Sequence, residues 1–148
     1  MRHDKKIFRE SDAILSETDV RHMVNDMLGW VDLHEINVEI ETKLQHFCHF
    51  FSFEGNQYIS NGLHTECKKF IDAIDKLGVF VENQFYPAES GGGKAELWIS
   101  GPSRSKDQWD KQTWQEYYKL VPKLEELTNR TFEAYKSYRA MVRSTLFI

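Results

Sequence analysis

Residues 63–78 read LHTECKKFIDAIDKLG, and this stretch decides the fold. Apolar side chains recur in it every three or four residues, the spacing that places them on one face of an α-helix: Leu63, Cys67, Phe70, Ile71, Ile74 and Leu77. Gly78 follows the last of them, at a position where a glycine commonly ends a helix. We therefore predict an amphipathic helix over 63–78, with Cys67, Phe70, Ile71 and Ile74 in the core.

The chain after this helix has the composition of β-strands. Residues 79–86 and 95–100 are rich in the aromatic and branched side chains that favour strands. Residues 87–94 lie between them and include one proline and three consecutive glycines, so a hairpin with a long mobile tip is predicted. Two strands alone are marginally stable in water, and this hairpin must pack against helices.

Two other segments have helical patterns. Ser16 can accept hydrogen bonds from the first free amides of a helix that extends to residue 28. The pattern from Ser105 to the last residue is also helical. Pro122 lacks an amide hydrogen and clashes with the preceding turn, so we expect a break or kink near it.

Residues 32–53 fit two patterns. Ile36, Val38 and Ile40 alternate with polar residues, as in a strand, whereas a longer apolar set over the same segment has helical spacing. No glycine or proline interrupts the segment, and a strand of that length is uncommon. We therefore predict a helix there.

Together these elements predict an α+β fold, a helical bundle of about four to five amphipathic helices with one β-hairpin packed against it. Residues 1–15 show no stable period and are expected to form a ragged N-terminal arm. Residues 16–148 are expected to form a single α+β domain, since the chain has the usual size of one domain.

The charge of the chain limits its partners. The formal net charge is −4, which argues against a nucleic-acid partner held by phosphate contacts. Residues 1–100 carry 10 basic and 17 acidic side chains, a net of −7, whereas residues 101–148 carry 9 and 6, a net of +3. Charged residues make up 28% of the chain and no long apolar run occurs, so no membrane span is expected. We expect a cytoplasmic protein in which Cys48 and Cys67 are reduced.

Histidine and cysteine spacing raises one alternative. His46 and His49 would share one face of a helix, and His64 and Cys67 repeat the same spacing on the next helix. These four side chains could complete a tetrahedral zinc site if the helices face each other, as in a zinc-containing hydrolase or a zinc-stabilised domain. Because no established zinc-binding pattern matches, we expect no metal and no cofactor.

A run of three glycines and a lysine invites comparison with phosphate-binding loops. Gly91, Gly92, Gly93 and Lys94 are followed by Ala95 and a predicted strand. A phosphate-binding loop requires a serine or threonine after the lysine, and a helix whose amides hold the phosphate. We predict instead that these residues form a mobile tip that orders on a protein partner.

The C-terminal segment carries more aromatic side chains than one buried helix face can hold. Trp114 and Tyr118 fall off the apolar stripe, and exposed tryptophan and tyrosine are enriched at protein interfaces. The chain ends on Phe147 and Ile148, whereas most termini are polar. The aromatic residues expected in the core are Trp109, Tyr117 and Phe132.

The sequence therefore predicts a small acidic binding or regulatory protein that acts through protein–protein contacts, of the inhibitor, immunity-protein or antitoxin type. The predicted partner-binding residues are Trp114, Tyr118, Gly91, Gly92, Gly93, Lys94, Phe147 and Ile148, and no catalytic residue is predicted. A homodimer through the C-terminal helix is expected, since two-fold dimers are the commonest oligomers and the two oppositely charged parts of the chain attract. A structural subunit of a larger assembly is a further alternative.

Overall fold

The computed structural model describes residues 1–29, 34–87, 92–97 and 108–148. The helices are α1 (Arg2–Ile14), α2 (Glu17–Met27), α3 (Val38–Phe50), α4 (Asn61–Gln84) and α5 (Lys111–Leu146), with a 3₁₀ turn at Glu54–Asn56. The strands β1 (Glu35–Asn37), β2 (Phe85–Pro87) and β3 (Lys94–Leu97) form an antiparallel sheet in the order β1-β3-β2. The predicted α+β fold, a helical bundle with a hairpin, is confirmed.

The antiparallel packing of α4 on α5 is the most extensive contact between two elements of the described chain. Gly62 at the start of α4 lies against Met141 near the end of α5. Further along, the Thr131 hydroxyl donates a hydrogen bond to the Leu127 carbonyl of its own helix at 2.8 Å and lies 3.4 Å from the Ala73 carbonyl of α4. These two contacts align the helices over the first half of α4.

Aromatic rings fill the space between these helices. The Phe70 ring on α4 lies 5.0 Å from the Tyr135 ring and 6.0 Å from the Tyr138 ring on α5, and 5.3 Å from the Phe47 ring on α3. The Tyr138 and Tyr58 hydroxyls are hydrogen-bonded at 2.6 Å, so both remain satisfied inside the core. The predicted burial is confirmed for Cys67, Phe70 and Ile74, whereas Ile71 is only partly buried.

α4 does not end at Gly78, and the prediction of a strand over residues 79–84 was wrong. The helix continues to Gln84, and Val81 extends the buried stripe by one more turn after Leu77. The burial of Val81 within the helical stripe outweighs the strand propensity of this segment. The hairpin itself is confirmed, with Phe85 of β2 opposite Leu97 of β3. Residues 88–91 of its tip and 98–100 of the predicted second strand lie outside the described residues.

The predicted helix over 32–53 is divided between a strand and a helix. Ile36 in β1 is paired with Ala95 in β3 and is 1% exposed. The Asn37 side-chain oxygen then accepts a hydrogen bond from the Glu39 amide at 2.8 Å, which caps the start of α3. The helix prediction was right for residues 38–50 and wrong for 34–37 and 51–53, while residues 32 and 33 lie outside the described residues.

Residues 2–14 form a helix, so the prediction of a ragged arm was wrong. Asp4 is 2% exposed, and its carboxylate oxygens accept hydrogen bonds from the amides of Ile59 at 2.8 Å and Ser60 at 3.0 Å. Ile7 and Phe8 are also buried. Hydrogen bonds to a buried charged group are stronger than neutral ones, and these two tie α1 to the segment that precedes α4.

The start of α2 agrees with the sequence prediction, whereas the course of α5 at Pro122 does not. α2 begins as predicted, because the Ser16 hydroxyl and the Asp19 carboxylate each accept a hydrogen bond from the other residue's amide. α5 runs through Pro122, contrary to the predicted break, because buried residues on both sides of the proline hold the helix in place. No helix within the described ranges is both long and apolar enough to cross a membrane.

We predict that Ile74→Asp unfolds the protein. Ile74 is 5% exposed, so the new carboxylate would be buried without a partner, lowering the free energy of unfolding by more than about 3 kcal/mol. Val38→Asp is the matched control, since the branched side chain of Val38 is 44% exposed and should tolerate the same change. Thermal melting monitored by circular dichroism measures both. A folded Ile74→Asp variant with the melting temperature of the control would contradict the assigned burial.

Candidate functional site

The most prominent concave feature in the described part of the chain lies between α3 and α4. These two helices touch each other far less than α4 and α5 do, and two adjoining cavities of about 400 and about 550 Å³ open between them. Cys48 and Asp75 line both cavities, which therefore adjoin at these two side chains. We call the two cavities together the α3–α4 groove. Its size is that of sites that take a ligand or a segment of another protein.

The floor of this groove is apolar. It is formed mainly by side chains that also belong to the core or pack against it: Ile36, Leu44, Ile71, Ile74, Leu77 and Val81. Gly78 lies in the wall of the larger cavity, and a Cβ atom added there would find no atom within 4 Å. Val79 beside it is 59% exposed. A ligand that covered the groove would thus remove apolar surface from water.

Carboxylates surround the larger cavity. Glu41 on α3 and Asp75 and Glu82 on α4 line it, and no lysine or arginine is among its described lining residues. None of the three forms an ion pair in the described part of the chain, unlike Asp19, which pairs with Lys43 at 3.1 Å. The smaller cavity adds Asp72 and a single cation, Lys68. The groove is therefore negatively charged, most strongly at the end near Glu82.

The pKa values of groove residues reflect burial first and neighbouring negative charge second. Burial, and then the charge of Glu82, raise the pKa of the Glu41 carboxyl above its ordinary value. Burial, and then the charge of Asp75, raise the pKa of the Cys48 thiol to about 12. The pKa of Cys67 is also raised, chiefly by burial. Both cysteines are free, and at neutral pH both are thiols rather than reactive thiolates.

The structure does not assemble the alternative zinc site. His46, His49 and His64 are exposed, whereas Cys67 is 3% exposed and belongs to the core. The His49 ring contacts the Phe53 ring at 5.0 Å, and only His64 and Cys67 of the four line the groove. Among the described residues, no group of three or more histidine, cysteine, aspartate or glutamate side chains could hold a metal ion.

The predicted aromatic contact residues lie at the start of α5. Trp114 is partly buried, and its ring stacks on that of Tyr118 at 5.7 Å; Tyr118 is 63% exposed. Trp109 and Tyr117 are buried beneath them, as predicted, with their rings 5.6 Å apart. Phe132, also expected in the core, is only partly buried. Tyr118 is thus the most exposed member of this aromatic cluster.

The other predicted contact residues lie elsewhere on the molecule. Phe147 and Ile148 are 87% and 53% exposed at the end of α5, separated from Trp114 by about 50 Å of helix. Gly92 and Gly93 have φ angles of 74° and 70°, which a residue with a side chain rarely adopts. Lys94 forms an ion pair with Glu35 at 2.8 Å, which ties this end of the tip to β1. Gly91 lies outside the described residues.

Sequence reasoning missed the α3–α4 groove. One signal was present, a glycine inside a helical pattern with acidic residues three positions before it and four after it, at Asp75, Gly78 and Glu82. Because a helix has 3.6 residues per turn, these three positions lie close to one flank of α4. Because the helix was predicted to end at Gly78, Glu82 was not placed on the same flank as Asp75.

Comparison with known proteins identifies no relative of this chain. No protein-family model, no curated protein and no solved structure matches this chain. Function is therefore inferred from the chemistry and placement of its own residues.

We predict that Glu82→Gln lowers the pKa of Glu41, since a negative charge that raises this pKa is removed. A carboxyl with a raised pKa in the folded state opposes folding when it is ionised, so this penalty exists above that pKa and vanishes as the pH falls below 4.5, its ordinary value. Glu82→Gln should therefore stabilise the protein at pH 7 by a few tenths of a kcal/mol, roughly, because solvent screens the pair. Carbon-detected NMR titration and denaturation at pH 7 and pH 4 measure both effects. Glu125→Gln on α5 is the control, and an unchanged Glu41 pKa in Glu82→Gln would contradict the interaction.

Proposed function

We propose that this protein is a small acidic binding or regulatory protein that acts through protein–protein contacts, of the inhibitor, immunity-protein or antitoxin type. The α3–α4 groove is the observation that supports this proposal. It combines an apolar floor with carboxylates that have no ion-pair partner among the described residues. An uncovered surface of this kind gains stability when a complementary surface covers it.

Two features of the groove favour binding over thiol chemistry. The raised pKa values of Cys48 and Cys67 keep both groups protonated, whereas a thiol nucleophile must be stabilised as a thiolate. His49, the neighbour of Cys48 in sequence, lies instead against Phe53. The role assigned to Cys48 is to line the groove, as a small apolar side chain does.

A cytoplasmic location is part of the same proposal. Both cysteines are free although they line the same cavity. Free thiols are typical of proteins in reducing compartments. The acidic carboxylates of the groove also make a nucleic acid an unfavourable occupant, because phosphates would be repelled.

Affinity capture from a cell extract tests the proposed function when it compares variants. We expect wild-type protein to retain a partner protein that Asp75→Lys/Glu82→Lys does not retain, because reversed charges repel what the carboxylates attracted. Glu10→Lys/Glu125→Lys is the matched control, with the same change in net charge away from the groove, and it should retain the partner. All variants must first show the wild-type melting profile. Identical sets of proteins on wild type and on the groove variant would contradict a binding function of this groove.

A homodimer through α5 is a second part of the proposal. Trp114 and Tyr118 lie near one end of α5 and Phe147 and Ile148 at the other, so no single compact patch includes all four. A two-fold axis across α5 would place the Trp114 end of one protomer beside Phe147 of the partner subunit. Exposed apolar groups at both ends would then be covered in one symmetric interface.

We predict a mass of twice 17.5 kDa by light scattering for the wild type at about 50 μM. Trp114→Ala/Tyr118→Ala and a chain ending at Ser144 should both be monomeric, because each removes one end of the interface. Phe53→Ala is the control. Phe53 is 54% exposed and lies in another segment, so this variant should remain dimeric. A monomeric wild type would refute the dimer and leave the groove proposal untouched.

A further inference from the structure

We propose that the α3–α4 groove binds an amphipathic helix of a partner protein, one that carries lysine or arginine beside its apolar face. This inference rests on the proposed binding function and names the chemistry of the partner. The groove extends along α4 from His64 to Glu82, which is about 27 Å of helix. That length matches a partner helix of about 18 residues, and a helix laid in a groove between two helices is a recurring mode of recognition.

The backbone at Gly78 provides the first argument for a helical occupant. A glycine inside a helix is unfavourable relative to alanine, and nothing within 4 Å of its Cβ position requires the absence of a side chain. The open space at Gly78 faces the larger cavity, between Asp75 and Glu82. A glycine there lets another backbone approach α4 closely, as small residues do where helices pack tightly.

Charge decides the chemistry of the occupant. Glu41, Asp75 and Glu82 lie around an apolar floor, with no lysine or arginine among the described residues that line the larger cavity. Bringing Glu41 and Glu82 together is unfavourable without a cation between them. A lysine or arginine from a partner would relieve this repulsion while its apolar face covered the floor.

The spacing of the carboxylates also restricts the partner sequence. Asp75 and Glu82 are seven residues apart, which is two helical turns and about 10.5 Å. A partner helix aligned with α4 would meet both with cations seven residues apart, and apolar residues at three- and four-residue spacing between them would contact the floor. Lys68 marks the other half of the groove, where an acidic side chain of the partner would fit.

A synthetic peptide of about 18 residues, with leucines on one helical face and lysines flanking it, is the probe for this test. Fluorescence anisotropy should show binding to the wild-type protein that weakens as salt is raised. The same peptide with glutamates in place of lysines should not bind. Binding by both peptides, or a Kd above about 1 mM for the lysine peptide, would overturn the assignment of a basic helix.

Three variants test whether the peptide binds at the groove. Asp75→Asn/Glu82→Gln should weaken lysine-peptide binding at least about tenfold, whereas Glu10→Gln/Glu125→Gln, with the same net charge, should stay within about twofold. Gly78→Leu fills the groove but favours helix formation, so it should lose binding without losing thermal stability. Equal binding by all variants would show a general attraction to an acidic protein and would overturn the site.

The outcomes separate this inference from the proposed function. If capture of a partner depends on the groove but the lysine peptide does not bind there, the partner helix is not basic and only this inference fails. If the peptide binds at the groove but capture is unaffected by Asp75→Lys/Glu82→Lys, the proposed function fails. Self-association that is lost in Gly78→Leu would assign the groove to a second copy of the chain and overturn a separate partner.

Discussion

The contact between α4 and α5 is the interaction on which the rest of the structure depends. The Phe70 ring packs against Tyr135 and Tyr138 of α5 and against Phe47 of α3, so one cluster of rings joins three helices. Aromatic side chains remove more apolar area from water than any others, which makes such a cluster the main source of stability in a small domain. The hydrogen bond between Tyr58 and Tyr138 lets two hydroxyls enter this core without loss.

The same contact explains why a groove exists. α4 can present only one face to α5, and its buried stripe runs from Leu63 to Val81, where Ile74, Leu77 and Val81 also border the groove. The neighbouring flank, which carries Asp75, Gly78 and Glu82, is left beside α3, which makes only limited contact with it. No atom lies within 4 Å of the Cβ position of Gly78, so this flank is open there. One face of α4 thus contributes to the core, and the adjacent flank borders the groove for which we propose a binding role.

Polar groups complete the structure at points that apolar patterning does not reveal. Asp4 satisfies two backbone amides next to the start of α4, and Asn37 caps α3 directly after β1. Both side chains act through hydrogen bonds to backbone amides. The partner of Asn37 is two residues away in the chain, whereas those of Asp4 are 55 and 56 residues away. A buried carboxylate of this kind stabilises only when its partners are in place, so its role depends on the finished fold.

By itself the sequence determined the elements whose signals are local. The reciprocal hydrogen bonds of Ser16 and Asp19 start α2, the apolar stripe from Leu63 to Leu77 forms α4, and the aromatic and branched residues on either side of the glycines pair as a hairpin. Only the tertiary structure decided the remainder. Ile36 lies in a strand because β3 offers backbone partners. Pro122 stays within α5 because the buried side chains of Tyr117 and Leu124 hold the helix on either side, and α4 passes Gly78 because Val81 is buried. The groove belongs to this second group, since it is formed by the distance between two helices, which no pattern along either helix contains.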